Sequence, residues 1–205
     1  MTYRFDAVDL KRRLLDLPNS ERLAFAALVL DRALPNFLRF ESETGVAGGA
    51  MLRGAQAKVW GLVEGNDAAS PFFGLNSKAC ELFAPDSESH KSLYTSSALD
   101  AVSITCNILD YVESKRVDLL VESASLLRDS VDMFIQLGGY VDSSTLDLET
   151  RLLNHPLMQE ELGFQNADLQ FLEHCHLKNT PIWPRVLRRS VEFGYSNLRM
   201  LPSTR

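Results

Sequence analysis

The hydrophobic residues of this chain recur at helical spacing, and the densest run lies near the amino end. From Leu23 to Leu30 every side chain is apolar: Leu23, Ala24, Phe25, Ala26, Ala27, Leu28, Val29, Leu30. Glu21 and Arg22 precede the run, and Asp31 and Arg32 follow it. A helix that is apolar all round must be covered by neighbours on most of its sides. The run is far shorter than the about 20 apolar residues that a bilayer requires. The stretch Ser20 to Phe40 is therefore expected to form the central buried helix of a soluble domain.

The other segments fall into order around it. Val8, Leu10, Leu14, Leu15 and Leu17 form a helical stripe after Asp6, a natural N-cap, and Pro18 stops it. Asn19 and Ser20 offer a cap for the central helix. Pro35 predicts a kink or a restart, with Asn36 capping a second segment up to Glu43 and Gly45 ending it. Met51, Leu52, Ala55, Val59, Leu62 and Val63 mark another amphipathic helix. Residues Gly65 to Asn76 read as a loop carrying Phe72 and Phe73. A short helix is expected over Ser77 to Phe83.

Two long stripes follow, from Tyr94 to Val112 and from Val117 to Ile135. They are separated so briefly that the helices must lie side by side and antiparallel. A brief helix spans Asp147 to Leu153, and Asn154 with Pro156 opens the next. There Leu157, Glu161, Leu162, Asp168, Leu169, Leu172 and Cys175 share a stripe. A last helix is expected over Thr180 to Phe193. No segment sustains strand alternation. The fold expected is all-α: residues 1–205 as one domain, a compact bundle of about seven to nine helices around the amino-terminal apolar one.

Composition narrows the class. The chain has 205 residues, 45% hydrophobic and 23% charged, an ordinary globular balance. Cys80, Cys106 and Cys175 have no framework spacing and read as reduced thiols. With no signal-peptide pattern and no membrane-length run, a soluble cytoplasmic protein is expected. A net charge of -6 argues against a nucleic-acid partner. Two basic clusters, Lys11-Arg12-Arg13 and Arg185 with Arg188 and Arg189, read as solvated helix faces.

Candidate chemistry is sparse. Glu173 and His176 have the Glu-x-x-His spacing of carboxylate di-iron bundles, but no second such pair exists. A mononuclear metal site using His174 or His176 with distant carboxylates is the weaker alternative to a positively charged helix end, which leaves Glu173, His174 and His176 as weak metal candidates. Arg32, beside the apolar run, needs a counter-charge, for which Asp100 and Glu122 are the candidates. Phe72, Phe73 and Trp183 are candidate interaction anchors. No phosphate loop, nucleophile elbow or paired Cys-x-x-Cys is present, so no catalytic residue and no cofactor is expected.

Asp31-Arg32-Ala33-Leu34-Pro35-Asn36-Phe37 has the family pattern of an acidic residue, arginine, two variable positions, then Pro-Asn-aromatic. With Leu93-Tyr94, Ala98-Leu99-Asp100-Ala101, Val121-Glu122-Ser123 and Ser196-Asn197-Leu198, it resembles the YjaG-like family of uncharacterised bacterial proteins (DUF416). The likeness spans most of the chain and departs from the family's pattern between Gly65 and Asn76. It implies a compact helical fold and a bacterial cytoplasmic setting, and it implies no reaction. The function expected is a non-enzymatic protein-interaction module whose partner is a second copy or another protein, such as a toxin it neutralises. The alternative is a small metal protein or enzyme using residues 173–176.

Overall fold

The computed structural model describes residues 2–65, 74–141, 147–177 and 196–198. Among them are eight helices and no strand. In chain order they are α1 (Ala7–Asp16), α2 (Asn19–Thr44), α3 (Gly49–Val63), α4 (Ser77–Glu81), α5 (Thr95–Ser114), α6 (Asp118–Leu137), α7 (Leu148–Asn154) and α8 (Pro156–Leu177). The predicted last helix, with Trp183 and the Arg185 cluster, lies outside the described residues, as do Phe72 and Phe73.

α2 is the axis. No side chain from Leu23 to Leu30 is more than 5% exposed. α3, α5, α6 and α8 pack directly against this helix. The helix runs through Pro35 without restarting. An interior proline costs about 3 kcal/mol, which the burial of flanking Leu34, Phe37 and Phe40 offsets. Asn36 is therefore an interior residue and not a cap.

Local chemistry sets the ends. Asp6 Oδ1 accepts from the amides of Val8 (2.9 Å) and Asp9 (3.0 Å), which starts α1. Arg22 reaches back from α2 and donates to the carbonyls of Leu14 and Leu15, both at 2.7 Å, closing the end of α1. Asn19 and Ser20 do not cap α2, whose N-cap is Pro18. Asn19 Oδ1 instead accepts from the Tyr111 hydroxyl at 2.9 Å, tying α2 to α5. Gly45, at φ +75, ends α2 in the left-handed conformation that favours glycine.

The turn into α3 is held by a carboxylate. Glu41 Oε1 accepts from the amides of both Gly48 and Gly49 at 2.9 Å. Gly48 passes so close to α2 that a Cβ there would meet Phe37 Cζ at 2.6 Å. Beyond α3, Asn76 caps α4 through the Ala79 amide at 3.1 Å. α5 and α6 form the most extensive helix pair, joined across Lys115, whose φ is 59. His155, not Asn154, precedes α8, and its Nδ1 accepts from the Leu157 amide at 3.3 Å. α8 then continues unbroken through Gly163 and Asn166.

A second, smaller core joins the end of α6 to α7 and α8. It includes Val131, Phe134, Ile135, Leu152, Met158, Leu162 and Leu198. Among the described residues no helix is long and apolar enough to cross a membrane.

Candidate functional site

The centre of the molecule holds a closed polar network between α2 and α8. Arg32 and Asn36 are one turn apart on α2, and Glu161, Gln165 and Asp168 recur at helical spacing on α8, so each set shares one face. Arg32 is 7% exposed, Glu161 1% and Asp168 3%. The guanidinium uses all three nitrogens. Nη1 donates to Asp168 Oδ2 at 2.6 Å, Nε to Glu161 Oε2 at 3.2 Å, and Nη2 to Glu161 Oε1 at 3.4 Å.

Amides form the second layer. Gln165 Nε2 donates to Glu161 Oε1 at 2.9 Å and to the Ala124 carbonyl at 3.0 Å, linking the network to α6. Asn36 Nδ2 donates to Asn197 Oδ1 at 2.8 Å, and Asn197 Nδ2 to the Leu127 carbonyl at 2.8 Å. The Asn197 backbone amide donates to the Arg32 carbonyl at 3.3 Å. Pro35 brings no N–H to this part of α2, and a neighbouring carbonyl finds its extra donor in the 196–198 segment.

The electrostatics are uneven. Burial opposes the charge on Arg32, but Glu161 and Asp168 outweigh it and hold the guanidinium protonated. Burial pushes the Glu161 carboxyl above its ordinary range, against the pull of Arg32 and the Gln165 amide. One cation serves two carboxylates, so the cluster carries a surplus of negative potential. Enclosed in this way, the network can fix the register of α2 on α8.

The partners of Arg32 differ from those the sequence suggested. Asp100 faces α6, where Ser130 Oγ donates to its Oδ2 at 2.9 Å. Burial raises its carboxyl to about 6, against the Ser130 hydrogen bond and with some repulsion from Asp129. Glu122 is exposed. Asp31, beside Arg32, turns to α3 and accepts from Gln56 Nε2 at 2.6 Å and Trp60 Nε1 at 3.0 Å.

Glu173 is held by Arg13, whose Nε and Nη2 donate to its two oxygens at 2.7 and 2.8 Å. His174 and His176 are exposed in the last turn of α8, and Cys175 between them is buried. Among the described residues no group of three or more His, Cys, Asp or Glu could hold a metal ion. Burial pushes the Cys80 thiol up to about 11 and the Cys106 thiol up to about 12, so neither is a thiolate at neutral pH.

A small cleft lies beside the network. Residues 3–6 cross α8 as a strap and, with Asp9 and Arg13 of α1 and Gln165 and Asn166 of α8, enclose about 110 Å³. The strap is pinned through Tyr3. Its amide donates to Gln159 Oε1 at 2.7 Å, and its carbonyl accepts from Gln159 Nε2 at 3.0 Å.

The profile of one protein family, described as a protein of unknown function (DUF416), matches residues 9–200. A solved structure of a DUF416 family protein from Shewanella baltica OS155 superposes with a TM-score of 0.76 at 22% identity. The match covers 93% of this chain and 97% of that one. At this identity the likeness carries the fold alone. No curated protein matches the chain.

Two outcomes follow from the buried charges. Arg32→Leu strands two carboxylates in the core and should lower unfolding free energy by about 3–5 kcal/mol. In urea titrations the loss should be smaller at about pH 5 than at about pH 8, because protonation relieves the stranded charges. Asp100 has the opposite value to a variant. Its folded pKa of about 6 exceeds the ordinary carboxylate value, so its stabilising proton is present at low pH and lost as pH rises through about 6. Asp100→Asn should therefore melt close to the wild type near about pH 4 and above it beyond about pH 6. A melting difference that does not change with pH would contradict this.

Proposed function

The chain belongs to the DUF416 family, and from that premise we propose that it is a non-enzymatic interaction module of the cytoplasm that associates with a second copy of itself. A stripe of exposed apolar side chains at the end of α6 carries the reading. Met133 is 39% exposed, and Leu137 and Tyr140 are each 57% exposed. Met133 and Leu137, four residues apart, share one face of α6, and Tyr140 follows the turn at Gly138 and Gly139 that ends the helix.

Tyr140 is already ordered. Its amide donates to the Ile135 carbonyl at 3.1 Å, and its ring stacks on Phe134 at 5.9 Å. Phe134 stacks in turn on Tyr94 at 5.7 Å. An aromatic side chain fixed before binding loses little freedom on association, which favours it as an anchor. A twofold contact sets the same stripe against itself, so apolar surface meets apolar surface. The acidic net charge of -6 opposes that approach, so the association strengthens with salt. Neither a membrane nor a nucleic acid is part of this reading.

Sedimentation equilibrium tests it. The protein should show a concentration-dependent dimer below about 100 µM, enhanced by salt, and Leu137→Glu should abolish it while leaving the melting temperature unchanged. A monomer at every concentration and salt level, for wild type and variant alike, would overturn the proposal.

A further inference from the structure

We propose that the cleft beneath the amino-terminal strap binds a small zwitterionic molecule of the α-amino-acid type. The cleft encloses about 110 Å³. Drug-sized ligands need about 300 Å³ or more, so only a molecule of a few heavy atoms fits. Its walls are built in advance. Gln159 pins the strap at Tyr3, and the Arg128 guanidinium lies 4.9 Å from the Phe5 ring centre.

The base of the cleft is an oriented acceptor. Gln165 is 5% exposed and lines the cleft. Its Nε2 is committed to Glu161 and to the Ala124 carbonyl, which fixes the amide plane. Among the described residues no donor meets its Oε1. The side chain is buried but this oxygen still meets open space in the cleft, so it accepts from water or from a ligand that brings an N–H.

The rim supplies one charge of each sign. Arg4 is exposed and, among the described residues, makes no ion pair. Asp9 engages Arg12 through Oδ1 at 2.5 Å, and its second oxygen remains to accept. Arg13 is already held by Glu173 and by Asn166 Oδ1 at 3.1 Å. A lone anion would satisfy only Arg4, and a lone cation only Asp9 and Gln165. A molecule with a carboxylate and an ammonium a few bonds apart satisfies both ends. Its ammonium would then be joined to Arg32 by three hydrogen bonds in series, through Gln165 and Glu161.

The test uses the full chain with glycine, alanine and serine, and with acetate and methylammonium as single-charge probes. Thermal shift and calorimetric titration should find at least one amino acid that binds, and it should bind about tenfold more tightly than either single-charge probe. Arg4→Ala should weaken that binding about tenfold while leaving the melting temperature of the ligand-free protein unchanged. Gln165→Leu should abolish it. If that variant fails to fold, the Arg4→Ala comparison decides alone. No binding by any of the three amino acids, equal binding by acetate, or full affinity in Arg4→Ala would each overturn the proposal.

Discussion

A guanidinium just beyond a wholly buried helical run must find its counter-charge inside the protein, and that requirement joins α2 to α8. Arg32 follows the apolar run by two residues, so it cannot reach water without unpacking the helix. Burying it alone would cost many kcal/mol. Glu161 and Asp168 remove that penalty only if α8 lies against α2 in one register. Slipping α8 by a turn would leave the arginine unmatched and the carboxylates stranded. The apolar surfaces supply the drive to associate; the charges select one arrangement.

The same logic orders the surrounding contacts. Gln165 passes the constraint to α6 through the Ala124 carbonyl, and Asn197 passes it to α6 through the Leu127 carbonyl. Asn36 and Asn197 hold each other, so residues far apart in the chain meet on one side of α2. Glu41 and Asn19 do comparable work at the ends of α2, fastening it to α3 and α5. Most of these links join the central helix to a neighbour, so α2 is a hub for polar contacts as well as for apolar ones.

Much of this was legible in the sequence, and the rest was not for identifiable reasons. The run from Leu23 to Leu30 announces burial because nothing in it can face water. The α5–α6 pair is readable from two stripes and a short connection. Asp6 and Gly45 act as their residue types suggest. Glu161 and Asp168 could be placed on the buried face of α8 by spacing, but spacing within one helix does not say which helix it meets. Asp100 and Glu122 were nearer in sequence to Arg32, yet one turns to Ser130 and the other to solvent. The recurrence of Glu161, Gln165 and Asp168 at helical intervals was the usable signal for a buried polar face. Pro35 misled because intrinsic propensity yields to packing when both flanks are in the core.

Function stays at the surface of this architecture. The network at the centre is enclosed, and the proposed contacts with a second copy and with a small ligand lie away from it, at the α6 end and in the strap cleft. Whether α2 is truly the innermost element can be read by native-state hydrogen exchange. Amides from Leu23 to Leu34 should exchange last, with protection matching the global unfolding free energy. Should that segment exchange as fast as the short α7 or the amino-terminal strap, the central helix is not the core and the account is wrong.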